Sequence, residues 1–195
     1  MIKENIGNIS TSKNIELLTE PSDLFQNYCS QNWLQLLSDA PCKIPMIQSM
    51  ICSILCQFYR EKFAKIKSNE NTIIVTERYM TSAEVFIHSL REQGFIDRLD
   101  EIVLEKLLDN YISFFPSPSS IFYLSRSTNW SMKYIAIRSR QEEISFCTSN
   151  YIESISKYYE LYLKKMKENG VNIVTCFDLD IYQVFLQFKK LIETL

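Results

Sequence analysis

The stretch Ile137–Glu143 reads I-R-S-R-Q-E-E, two arginines two residues apart followed at once by two carboxylates. Arg138 and Arg140 offer planar donor forks of the kind that grip phosphate oxygens. Glu142 and Glu143 are acceptor-only groups, suited to sugar hydroxyls or to a neighbouring arginine. The same residue types also make an ordinary solvated helix end, so the chemistry this segment supports depends on what the rest of the chain places beside it.

Three further positions carry functional chemistry. Thr19-Glu20-Pro21 and Thr76-Glu77-Arg78 each follow an apolar, strand-like run, so two independent strands end in a carboxylate and one adds an arginine. In open parallel sheets, ligands collect beyond the carboxyl ends of the strands. Glutamates in register on neighbouring strands would form a facing acidic pair there. Gln48 is the third: on a helical projection it falls among Ile51, Cys52, Leu55 and Tyr59. A glutamine in an apolar arc needs hydrogen-bond partners or costs roughly 1–3 kcal/mol on burial, unless it turns toward solvent at the helix start.

The elements that must position these residues alternate. Ile15–Thr19, Thr72–Thr76, Ser120–Leu124 and Val171–Cys176 read as strands. Helical patterns cover Leu24–Leu37, Ile47–Ile66, Ala83–Gln93, Leu99–Phe114, Met132–Arg138 and Asn150–Glu168. Strands separated by helices predict an α/β domain with a parallel sheet. Asn169-Gly170 predicts a helix stop before the fourth strand. Pro116-Ser117-Pro118-Ser119 predicts a rigid loop, not a linker, so residues 1–195 read as a single domain.

Composition sets the limits. The 195 residues suffice for a sizeable core, and 46% hydrophobic with 23% charged residues is ordinary for a folded soluble chain. A net charge of −2 argues against a general polyanion-binding surface, so nucleic acid is not an expected partner and any phosphate site must be a local cluster. Six cysteines at 29, 42, 52, 56, 147 and 176 form no C-x-x-C, and His88 is the single histidine. That pattern disfavours zinc and fits reduced core thiols in a cytoplasmic, reducing compartment. No signal-peptide core or run of eighteen apolar residues occurs, so no membrane association is expected.

Taken together, L-L-T-E-P (Leu17–Pro21), N-W-L-Q-L-L-S-D-A-P (Asn32–Pro41), P-M-I-Q-S-M (Pro45–Met50), T-E-R-Y-M-T-S-A (Thr76–Ala83), I-F-Y-L (Ile121–Leu124) and R-S-R-Q-E-E (Arg138–Glu143) resemble the deoxynucleoside kinase family of animals and large DNA viruses. The resemblance runs from about Glu16 to Asp180. It implies a P-loop-kinase-like fold, a parallel sheet with helices on both faces, and transfer of the γ-phosphate of ATP to a nucleoside 5′-hydroxyl in nucleotide salvage. It implies Glu20 as general base, Arg78 beside the 5′-hydroxyl, and Glu77 near magnesium. Gln48 would read the base edge, Arg138 and Arg140 would close over the donor phosphates from a lid at 133–149, and Glu143 would bind the sugar 3′-hydroxyl. A homodimer through Leu99–Phe114 and Asn150–Glu168 is a further implication.

The chain also departs from that family. Its glycines are Gly7, Gly94 and Gly170, so no G-x-x-x-x-G-K-[ST] loop exists in it. Such a loop cradles the donor phosphates with backbone N–H groups and a lysine, and its hydroxyl holds magnesium. Residues 1–14 therefore read as a degenerate segment, or as the continuation of a start lying upstream. The family's first strand is central, and its loss would leave two strand edges exposed. Ser38 stands where a tyrosine usually shares the 3′-hydroxyl, Tyr134 where a first lid arginine is usual, and Ala83 where some members have aspartate. Two functions follow: a deoxynucleoside kinase binding ATP and Mg2+, or a catalytically impaired relative that binds nucleosides or partners an active kinase.

Overall fold

The computed structural model describes residues 9, 11–21, 24, 33–66 and 71–195. Strand β1 (Asn14–Leu18) pairs in parallel with β2 (Thr72–Thr76), placing Leu18 opposite Thr76. Strand β3 (Ser120–Ser125) pairs in parallel with β4 (Asn172–Phe177). The four strands thus form two separate two-stranded sheets among the described residues. Between and after them lie α1 (Trp33–Asp39), α2 (Ile44–Lys65), α3 (Ala83–Glu92), α4 (Arg98–Ile112), α5 (Thr128–Arg138), α6 (Gln141–Phe146), α7 (Ser149–Glu168) and α8 (Ile181–Thr194). Much of the expected first helix falls outside the described residues; α6 and α8 are additions to the elements expected.

Alternation along the strands explains the layering, since successive side chains point to opposite faces. Ile121 and Tyr123 of β3 join Ile173 of β4 against Tyr162, Leu163 and Met166 of α7. Phe122 points the other way, with Ile73 and Val75 of β2, against Phe188 and Ile192 of α8 and the buried Ile9. Helices therefore cover both faces, as expected. The largest apolar cluster lies to one side, where α2, α3 and α4 contribute Ile47, Leu55, Tyr59, Ile87, Leu90, Leu104 and Leu108.

Helix ends follow their local chemistry. Asp97 caps α4 and Asp180 caps α8, each reciprocally with the residue three positions on, Asp100 and Gln183. Gly170 takes φ +83° after α7, its N–H donating to Lys167 O while Val171 N–H donates to Met166 O. Those two bonds satisfy carbonyls that the helix end leaves unpaired, and the left-handed backbone they need favours glycine. This stop aims the chain into β4. Among the described residues no helix is long and apolar enough to cross a membrane.

Candidate active site

Parallel pairing of β1 and β2 delivers Glu20, Glu77 and Arg78 to the same sheet end. Glu77 N–H donates to Leu18 O at 3.0 Å, continuing the ladder one step past the strands. Glu20 N–H in turn donates to Glu77 Oε2 at 3.1 Å. The two carboxylates expected to face one another are thus neighbours, with one held by the backbone of the other.

Arg78 completes this cluster. Its Nη2 donates to Glu20 Oε1 at 2.6 Å, with the side chains 29% and 24% exposed. The guanidinium also lies over the Phe86 ring, 4.6 Å from its centroid. Burial pulls the Arg78 pKa down, but the carboxylate of Glu20 and the tyrosine beside it, Tyr159, outweigh that and hold it above its ordinary value. Its main-chain carbonyl accepts the Tyr59 hydroxyl. Burial first, and then the Glu20 charge, push the Tyr59 phenol well above its usual range, so it is a neutral donor at physiological pH.

Gln48 sits on α2 with 5% exposure. Its Nε2 donates to Cys52 Sγ at 3.9 Å, one turn along the helix. Sulfur is a weak acceptor, so a carboxamide with two donors and an acceptor is thinly satisfied there. Burial drives the Cys52 thiol up to about 12, leaving it protonated. Gln48, Glu20 and Arg78 line one cavity with Tyr59, Phe86 and Tyr151. Its volume is only about 30 Å³, the space of roughly one water. Leu37 of α1 and Leu90 of α3 also close it. The residues that pattern alone did not single out as ligand contacts are the aromatic walls, Phe86 and Tyr151. Tyr59 was legible as the next member of the arc through Gln48, Cys52 and Leu55.

The arginine pair of the opening motif forms a second cluster, and it does not line that cavity. Arg138 ends α5, Ser139 takes a left-handed φ of +53°, and Arg140 precedes α6. Both arginines converge on Glu143: Arg138 Nη2 lies 3.1 Å from Oε2, and Arg140 Nη1 donates to Oε1 at 3.1 Å. The guanidiniums are half exposed, whereas Glu143 is buried. The Arg138 approach is an ion pair without hydrogen-bond geometry, so Glu143 Oε2 is a buried oxygen lacking a donor. Tyr134 is exposed on α5, stacked on Trp130 at 3.8 Å. Ser38 lies on α1, but its side chain is outside the described residues.

His88 offers the other polar cluster, with Glu101 and Glu105 close enough to share an ion. Glu101 is already engaged by Arg98 Nη1 at 2.6 Å, by His88 Nδ1 at 3.1 Å and by Arg91 Nε at 3.7 Å. That is a satisfied ion-pair network joining α3 to α4. The described cysteines are free, and Cys52 and Cys56 are buried on α2.

Comparison with known proteins gives the family and the fold. The family model for deoxynucleoside kinases matches residues 5–195. Among solved structures, deoxyadenosine kinase from M. mycoides with bound dCTP is 13% identical, covering 93% of this chain and 100% of that one, with a TM-score of 0.68. The same enzyme with bound dATP is 20% identical over 97% of this chain and 89% of that one, with a TM-score of 0.66. With products dCMP and a flexible dCDP bound, it aligns at 13% identity over 93% and 100%, with a TM-score of 0.71. No curated protein gives a significant match. With its strand-end carboxylates, its buried glutamine and a family match over almost its whole length, the chain belongs to the deoxynucleoside kinase family.

Proposed function

We propose that this protein binds a deoxynucleoside in the cavity of Gln48, Glu20 and Arg78 and phosphorylates its 5′-hydroxyl at the expense of ATP. The observation that carries this reading is the 2.6 Å Glu20–Arg78 pair opening onto the same cavity as the buried Gln48. A base edge satisfies the thinly bonded carboxamide, and Phe86 and Tyr151 supply apolar walls. Glu20 accepts the proton of the 5′-hydroxyl as its oxygen attacks the γ-phosphorus and the bond to the ADP oxygen breaks. Arg78 holds Glu20 in place and offsets its charge. At about 30 Å³ the cavity is smaller than a nucleoside, so its walls part when one binds.

The donor half rests on fewer groups. Arg138 and Arg140 would grip donor phosphates from a lid, exchanging Glu143 for phosphate oxygens. The buried, donor-free Oε2 of Glu143 suits a sugar hydroxyl. The donor set fits a hard cation: Glu77 is exposed, with one oxygen engaged by the Glu20 amide, and would hold magnesium through water. Magnesium, when bound, neutralises charge developing on the transferred phosphoryl group. Exposed Leu99 and Val103 on α4 and Leu161 on α7 support pairing of two copies.

A second reading is favoured by the missing G-x-x-x-x-G-K-[ST] loop: a member that binds nucleosides without transferring phosphate, or that partners an active kinase. Calorimetry with each common deoxynucleoside, followed by an ADP-release assay with the nucleoside that binds, separates the two. Binding with nucleoside-dependent turnover supports the kinase. Binding without turnover supports the second reading, and no binding at all overturns both the kinase and the nucleoside-binding relative.

A further inference from the structure

The ladder of β1 and β2 reaches Glu77, whose N–H donates to Leu18 O at 3.0 Å. Arg78 comes next, where the chain leaves the sheet for the turn at Met80–Ser82. Backbone at such a point is set by whatever its polar groups bond to. The Arg78 carbonyl accepts the hydroxyl of Tyr59, which belongs to α2. Tyr59 is a firm anchor. It is 1% exposed, and its ring packs on Phe63 at 5.9 Å, Tyr79 at 5.8 Å and Phe115 at 6.3 Å between centroids. Burial keeps the phenol protonated, so its hydroxyl is the donor. This bond holds the main chain of Arg78, while Glu20 and the Phe86 ring hold its side chain.

Helix α2 also carries Gln48. Eleven residues separate Gln48 from Tyr59, close to three whole turns, so both side chains leave one face of a single rigid element. Cys52 and Leu55 fill that face between them, and both are buried. Gln48, Tyr59, Glu20 and Arg78 all line the same cavity. A buried tyrosine is satisfied by any acceptor within reach. Here the acceptor belongs to the residue whose guanidinium pairs with Glu20 at 2.6 Å. The helix that brings Gln48 to the cavity is thereby bonded to the charged pair as well.

We infer that Tyr59 is a positioning residue: through the Arg78 carbonyl it fixes the distance from Gln48 to the Glu20–Arg78 pair, so that one ligand meets both. The inference rests on the nucleoside reading of this cavity, with the base at Gln48 and the 5′-hydroxyl at Glu20 and Arg78. The Tyr59 hydroxyl is spent on the carbonyl and acts on the ligand only through Arg78. Removing it frees the Arg78 main chain to shift, which loosens the grip on the 5′-hydroxyl and leaves the base contact at Gln48 intact.

In the test, each common deoxynucleoside is titrated into the full chain by calorimetry, and the tightest binder is compared with its 5′-deoxy analogue. The unaltered chain should prefer the 5′-hydroxyl by roughly tenfold, the worth of one good hydrogen bond. In Tyr59→Phe that preference should shrink to about twofold or less, while the 5′-deoxy analogue binds as before. In an Arg78→Ala background, Tyr59→Phe should change neither affinity further, since the group it acts through is gone. Equal losses for both ligands, or the same loss with and without Arg78, would mark a merely structural hydroxyl and overturn the inference. So would a preference that survives whole in Tyr59→Phe. Should that variant not fold, carbon-13-labelled tyrosine in the unaltered chain decides. The Tyr59 ring signal should move with the 5′-hydroxyl nucleoside and stay with its analogue, and equal shifts overturn the inference. An unaltered chain that binds no deoxynucleoside, or binds both ligands alike, overturns the nucleoside reading itself and this inference with it.

Discussion

Beside Glu20 and Arg78, charged groups are held by partners from other elements: a carboxylate 2.6 Å away, a ring face at 4.6 Å and a backbone amide at 3.1 Å. Between β2 and β3 the situation is reversed, with a cavity of about 1390 Å³ and, among the described residues, no strand between the two edges. The contrast shows that a reactive cluster at a strand end needs only its own pair of strands. β1 and β2 suffice to bring the two glutamates and the arginine together, whatever happens on the far side of β2. The cluster at the β1–β2 end is therefore organised independently of the space beyond β2.

Substitutions can break that separation or sharpen it. The largest effect expected is from Glu20→Gln, which removes the proton acceptor and should lower nucleoside-dependent turnover by about 10²–10⁴-fold. Nucleoside affinity measured by calorimetry should change little, and an unchanged turnover number would dissolve the distinction between the two halves. Gln48→Leu comes next. Loss of hydrogen bonds to a base edge should weaken nucleoside binding by about 1–3 kcal/mol, while the melting temperature holds or rises because only a thiol contact is lost.

Acid is a third probe, and it acts away from both regions. The ammonium of Lys157 and then the hydroxyl of Ser154 hold the Glu92 carboxyl below its ordinary value of 4.5. Burial raises Glu101, but Arg98 and His88 outweigh it and leave that carboxyl lowered too. Both groups bind protons more weakly in the folded chain, so their contribution is complete above 4.5 and is lost as pH falls through the folded values. Glu101→Gln should flatten the acid limb of a melting-temperature profile. The smallest effect is expected from Arg138→Ala alone. That half-exposed ion pair lacks hydrogen-bond geometry and Arg140 still holds Glu143, so the change should cost about 0–1 kcal/mol in stability by thermal denaturation, even where the variant raises the KM for ATP.

Legibility in the sequence followed physical strength of signal. Thr72–Thr76 is β-branched throughout with an apolar centre, and β2 has those bounds. The stop at Asn169-Gly170 was legible because a left-handed glycine is its chemical requirement. Helix α8 went unread although Asp180 and Gln183 spell a capping box and Val184, Phe188, Leu191 and Ile192 follow at helical spacing. Helix α6 has six residues and carries two adjacent glutamates, too short and too polar for periodicity to register. The division of the strands into two sheets was not legible as such, because pairing depends on contacts between segments rather than on any segment. Of the candidate site, residue types were readable and grouping was not: nothing local says that Gln48 shares a cavity with Glu20 while Glu143 binds the arginines beside it.

Ser139 gives that last arrangement a mechanical meaning. A serine held at φ +53° costs on the order of 1 kcal/mol relative to ordinary backbone, and it reverses the chain so that residues on either side reach one carboxylate. The two guanidiniums are thereby geared: a single tooth, Glu143, engages both, and one pivot sets their spacing. Withdrawing that tooth frees a matched pair of cations at once, already spaced as the pivot dictates. Glycine at the pivot would remove the cost and keep the reversal, since it takes that φ freely.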